Sequence, residues 1–231
     1  MAAPIILVPG FWLGAWAWDD VAGLLRAQGH DVTALTLPGL ASVDIDRTPI
    51  TLFEHVDAIC TALSAAPERA VLAVHSGASV PGYGASDRLP ERIAAMVYVD
   101  TAPGSGAIRP DFKDTEWPLP EWDELNENLE GISQEQLDEF RARAVPQPAA
   151  ALREAPSLAN PARLDIPSTV ICTAFPSSEF QAAAKQGAPW MDELIALHDV
   201  RYVDLPTSHW PMWSKPAELA ALLGDIATAA S

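Results

Sequence analysis

The chain has 231 residues, 49% hydrophobic and 19% charged, a globular composition long enough for one domain with a substantial core. Its formal net charge is −17, from 31 acidic against 14 basic residues. That excess argues against a nucleic-acid partner, which needs a basic face to replace counterions, and against docking on an anionic membrane; it favours neutral or cationic small molecules.

Strand and helix patterns alternate along the chain. Ile5 to Val8 is a short apolar run closed by Pro9-Gly10, which predicts a buried strand and a turn. Ala15 to Gln28 has apolar residues at helical spacing and stops at Gly29. Asp31 to Leu37 alternates as a strand and stops at Pro38-Gly39. Thr51 and Glu54 form a capping box, opening a helix to about Ala65. Ala70 to His75 reads as a strand. Gly77 to Asp87 reads as a helix, with Pro81 tolerable only in its first turn or so. Strands follow at Ile93 to Val99, Ser168 to Thr173 and Val200 to Leu205, and Pro216 to Ala229 is a closing helix with proline and glutamate in its first turn. Continuous apolar strands separated by helices mean a parallel sheet covered on both faces, with ligands bound beyond the carboxyl ends of the strands.

Residues 101–160 break the alternation. They carry Pro-Gly turns, an acidic segment with Trp117 and Trp122, and a helix starting near Ser133. Such an insertion at the carboxyl edge is placed to cap an active site. The whole chain, 1–231, therefore reads as one domain with an inserted cap. Cys60 falls in a helical pattern and Cys172 in a strand pattern, and both read as buried free thiols. The N-terminus has no basic leader, and Ile5 to Val8 is too short for a signal core or membrane span, so a cytoplasmic location is expected.

The stretch Ala70-Val-Leu-Ala-Val-His-Ser-Gly-Ala78 carries the chemistry. A buried strand, a sharp turn with a serine and a closely packed helix read as a nucleophile elbow, which would lift the Ser76 hydroxyl above the sheet edge; the alternative is an ordinary strand end with a solvent-facing serine. The crowded positions two residues either side, usually Gly, hold Val74 and Ala78. Serine needs a base within hydrogen-bond reach. His209 follows the last strand on a loop that should reach the elbow. Of the other histidines, His30 is expected to be exposed at a helix exit, His55 and His198 sit in helical patterns, and His75 should point away from the serine. The acid has two candidates. Asp100 closes the strand beside the elbow and is favoured; Glu179 follows the Ser168 strand. Asp100 could otherwise cap the loop that follows it. An oxyanion hole needs two aimed backbone N–H groups, for which Gly77 and Phe11 stand in the right places. Eight tryptophans is a high count. Trp12 and Trp210 are expected in the substrate pocket, Trp117 and Trp122 could join them from the cap, and Trp16, Trp18 and Trp190 are expected in the core. The acidic run Glu121 to Glu130 reads as a solvated face. There is no P-loop, no dinucleotide fingerprint and no cluster at metal-ligand spacing, so no cofactor or metal is expected.

These pieces together resemble the α/β-hydrolase family. The matching segments are Leu7-Val-Pro-Gly-Phe11, Gly14-Ala-Trp-Ala-Trp18, Gly29-His-Asp-Val-Thr33, Val74-His-Ser-Gly-Ala78 and Ser208-His-Trp-Pro-Met212, spread over nearly the whole chain. The Gly-Ala-Trp and Cys172-Thr pieces look most like the branch of plant methylesterases, hydroxynitrile lyases and bacterial esterase relatives. The resemblance implies Ser76 as nucleophile, His209 as base, and Phe11 and Gly77 as oxyanion donors. Phe175 stands where that branch has its aspartate, whereas some dehalogenase-like relatives place the acid where Asp100 stands. The lyases have a threonine at the position of Gly10 and a lysine at that of Trp210, which speaks against cyanohydrin chemistry. The resulting expectation is a serine esterase or lactonase for a small apolar or aromatic ester. Two rivals remain: a cofactor-free lyase, cyclase or oxygenase on the same fold, and a non-catalytic small-molecule binder.

Overall fold

The computed structural model describes residues 2–231. Its centre is a parallel sheet of β1 (Ile5–Val8), β2 (Val32–Ala34), β3 (Ala70–His75), β4 (Ile93–Val99), β7 (Ser168–Cys172) and β8 (Val200–Asp204), in the order β2-β1-β3-β4-β7-β8. A separate antiparallel pair, β5 (Glu116–Trp117) with β6 (Gln147–Pro148), lies in the insertion. Every residue of β3 and β4 is buried. Successive side chains of a strand point to opposite faces, and both faces here are apolar. Leu72, Val74, Met96 and Tyr98 pack into one core layer, while Val71, Ala73, Val97 and Val99 pack into the other.

Helices α1 (Asp19–Ala27) and α10 (Pro216–Ala229) contribute to the second layer; α2 (Leu52–Ala65) and α3 (Ser79–Arg88) contribute to the first. The capping box of α2 forms as its sequence implies, with Thr51 accepting from Phe53 N and Glu54 accepting from Thr51 N. The strand expected over 31–37 is only three residues long. Beyond it Thr36 Oγ1 is drawn to the N–H of Ala15 at 2.8 Å, at the start of the turn that leads into α1.

Between β4 and β7 the chain leaves the sheet to form α4 (Trp122–Leu125), α5 (Gln134–Arg143) and α6 (Ala149–Arg153). This insertion is fastened by aromatic packing. Phe140 is fully buried, with ring centroids of Trp122, Trp210 and Trp213 at 5.4, 5.4 and 5.1 Å. After β7 come α7 (Ser177–Lys185) and α8 (Asp192–Ala196), and after β8 the short α9 (Pro211–Ser214). Among the described residues, no helix is long and apolar enough to cross a membrane.

Candidate active site

Register brings two site residues to one edge. His75 pairs with Val99 across β3 and β4, so Ser76 and Asp100 each follow directly after a paired strand end. Both adopt left-handed backbone conformations, with φ of 50° and 49°, and Trp12 after β1 has φ 64°. Such values are uncommon for residues with a Cβ and mark sharp chain reversals. Three of them stand at the carboxyl edge of neighbouring strands.

His209 bridges the other two. Its Nδ1 lies 2.6 Å from Asp100 Oδ2 and its Nε2 lies 2.8 Å from Ser76 Oγ. An ionised carboxylate only accepts, so Nδ1 carries the proton and Nε2 is free to accept from the serine. The second Asp100 oxygen accepts from the N–H groups of Thr173 and Ala174 at 2.9 and 3.0 Å. Burial pushes the Asp100 carboxyl upward, but the hydrogen bond and charge of His209, with the donors at Thr173, outweigh it and hold the group below its ordinary value. Asp100 is thus the carboxylate hydrogen-bonded to His209. Glu179 lies on α7, in the wall of a cavity.

The turn after β7 has an altered task. Instead of an aspartate at the position of Phe175, it presents the two amides that grip Asp100. Asn128, from the acidic run read as a solvated face, accepts from His209 N at 2.9 Å and donates from Nδ2 to Thr207 O at 3.2 Å. Glu127 Oε2 comes within 3.8 Å of His209 Nδ1. Nothing in the acidic composition of 121–130 distinguishes these residues from their solvated neighbours.

His75 points away from the serine and braces His209. Its Nε2–H donates to the carbonyl of His209 at 2.7 Å, leaving Nδ1 a buried acceptor without a partner. Burial, reinforced by the nearby His209, pushes its pKa down to about 3, so the ring stays neutral. The loop after β1 closes over the elbow: a Cβ on Gly10 would come within 2.9 Å of both His75 Nδ1 and Ser76 Cβ. The Phe11 ring occupies the space where a side chain at Gly77 would go.

A cavity of about 800 Å³ opens beside Asp100, walled by the 101–108 segment and by Phe175, Phe180 and Trp190. A much tighter cleft of about 10 Å³ is lined by Gly10, Phe11, Gly77 and His55. Ile108 borders both. Trp12 and Trp210, expected in the pocket, line neither. Trp12 is 5% exposed and its ring N–H is committed to Trp117 O at 2.9 Å, while Trp210, 2% exposed, packs edge-on behind His209. Trp117 likewise fastens the insertion to the body, whereas Trp122 packs on Phe140 within the insertion. The tryptophan that does line the cavity is Trp190, expected in the core but 57% exposed. His30, expected to be exposed, is half-buried. Cys60 and Cys172 are buried free thiols. Among the described residues, no group of three or more His, Cys, Asp or Glu side chains is placed to hold a metal ion.

The model of the alpha/beta hydrolase family matches residues 5–222, and the chain belongs to that family. Esterase PIR7B of Oryza sativa subsp. japonica is 38% identical over 103 residues, covering 42% of this chain and 38% of the relative. Methylesterase 8 of Arabidopsis thaliana is 35% identical over 105 residues, covering 43% of this chain and 38% of the relative. The chain thus spans less than half the length of these curated relatives in the matched region. Among solved structures, a variant of tomato methylketone synthase I complexed with beta-ketoheptanoate shares the fold with a TM-score of 0.79, at 18% identity and 100% coverage of both chains.

Proposed function

We propose that this protein is a serine hydrolase that cleaves small carboxylic esters or lactones through an acyl-enzyme. The observation that carries the reading is the unbroken chain of hydrogen bonds from Ser76 through His209 to a buried, doubly held Asp100. Ser76 Oγ attacks the carbonyl carbon while His209 Nε2 takes its proton, and Asp100 fixes the tautomer and stabilises the imidazolium. The Phe11 and Gly77 N–H groups receive the oxyanion; the close seating of Gly10 on the elbow supports this role. His209 then returns the proton to the departing alcohol. Water, activated by the same nitrogen, releases the acid and restores the serine.

Esterase names among the relatives support ester chemistry, and the large cavity supports a substrate with one bulky half. The partner is then a small molecule, in keeping with the acidic surface. Treatment with a serine-directed fluorophosphonate, followed by intact mass and peptide mapping, tests the reading. A single adduct on Ser76, absent in Ser76→Ala, is expected. Folded protein that takes no adduct would shift the assignment to a non-hydrolytic enzyme or a binding protein on the same fold.

A further inference from the structure

The wall of the large cavity combines aromatic surface with charge of one sign. Phe175 and Trp190 are 56% and 57% exposed, and the Trp190 ring is steadied edge-on by Phe180, with centroids 5.8 Å apart. The charged side chains lining the cavity are Asp100, Glu179 and Glu193, with no lysine or arginine among them.

The three carboxylates are not equivalent. Asp100 is taken up by His209 and two amides. Glu193 accepts from the Tyr83 hydroxyl at 2.7 Å and lies 3.7 Å from Arg163, a cation that it shares with Asp87. Glu179, in the first turn of α7, makes no side-chain hydrogen bond, and among the described residues no side-chain cation lies within 4 Å of it. Its helix end offers partial charge only. A solvent-exposed carboxylate without a side-chain partner therefore shares the cavity wall with two exposed aromatic rings. The face of such rings attracts a cation, best of all on tryptophan. A cleft lined by one sign of charge, in a molecule of net charge −17, concentrates ligands of the opposite sign and repels carboxylates.

We propose that this cavity selects esters whose larger half carries a positively charged nitrogen, an alkylammonium or quaternary ammonium group, held against Trp190 and Phe175 with Glu179 as its counter-charge. The inference rests on the hydrolase reading, which puts the scissile carbonyl at Ser76, and takes the cavity, which reaches the proposed triad at Asp100, as the seat of the remote half of the substrate. Glu179, Trp190 and Phe175 determine specificity here and take no part in bond making.

Butyrylcholine and 3,3-dimethylbutyl butyrate are suitable probes, since they match in size and differ by the exchange of N⁺ for carbon. The wild-type protein should favour the cationic ester in kcat/KM by about tenfold, ~1.4 kcal/mol, chiefly through KM. Glu179→Gln and Trp190→Ala should each pull that ratio towards one. A wild-type ratio at or below one, or a preference untouched by both substitutions, overturns the proposal. Titration calorimetry with benzyltrimethylammonium separates this outcome from failure of the hydrolase reading. Binding weakened about tenfold by Glu179→Gln, ~1.4 kcal/mol, upholds the cation site even if neither ester is turned over. Absence of binding to the wild-type protein overturns it even if both are.

Discussion

Asp100 shows how a single residue acquires a role from its surroundings. A carboxylate buried at a strand end is unfavourable unless it is paired, and here three donors reach it: the His209 ring and the amides of Thr173 and Ala174. Asp100→Asn should lower kcat by about 10⁴, because an amide can hold the histidine in the wrong tautomer; steady-state kinetics on a neutral ester checks this. A greater loss from Glu179→Gln would transfer the acid role to Glu179. Ser76→Ala should abolish turnover while leaving the protein folded by circular dichroism. Ser76 and His209 were legible in the sequence because a turn after an apolar strand and a loop before the last helix are local patterns. Trp12, Trp210 and Trp190 were misplaced because an aromatic residue reads alike whether it faces a core or a cavity. Trp190 in particular lies in a short turn, Pro189–Met191, with no periodicity to orient it.

At the scale of elements, the departure at Val74 has a physical explanation. One Val74 methyl fills the space where a side chain at Gly82 of α3 would project. The bulk added on the strand is matched by its absence on the helix, so the elbow helix still packs close to β3. Gly82→Ala should therefore destabilise by about 1–3 kcal/mol through overpacking, despite the better helix propensity of alanine. Adding Val74→Ala should recover much of that loss, and urea midpoints of the two single variants and the double variant measure the coupling. Additive effects would refute the size match. The pairing was not legible in advance, since eight positions separate the two residues and neither pattern names the other. The strands and long helices were, because their periods are local. The short elements of the insertion, held by Phe140 and its tryptophans, offer no comparable signal.

For the whole molecule, buried histidines give stability an acid limit. Burial lowers His55 to about 4 and His75 to about 3, from an ordinary 6.5. Below pH 6.5 the unfolded chain takes up protons at these sites that the folded protein refuses, so stability falls as pH drops from 6.5 towards those folded values. Each such site contributes a slope of about 1.4 kcal/mol per pH unit once its unfolded form is charged. The depressed Asp100 adds a further loss only below its ordinary 3.8. Relief of repulsion among the 31 acidic residues acts in the opposite sense but requires carboxylates to protonate, so the interval from pH 6.5 to 5 isolates the histidines. Urea unfolding at pH 7, 6 and 5 should show this decline, and His55→Gln should remove about half of it. A flat profile would mean that these rings are protonated in the fold. The parallel sheet and its covered faces were both legible in the sequence. The aromatic fastening of the insertion was not, because it joins residues distant in the chain, as Phe140 with Trp210 and Trp12 with Trp117.

The seating of Ser76 and Asp100 on adjacent strands has a modular consequence. Ser76 and Asp100 are delivered by two fully buried strands of the sheet, and the turn after β7 contributes only two main-chain N–H groups to Asp100, which nearly any residue can supply. The segment from Phe175 to Trp190 is therefore unburdened by side-chain chemistry. It can be grafted, shortened or diversified to redirect substrate choice while the reacting groups stay in register, which makes it the natural place to retune this scaffold.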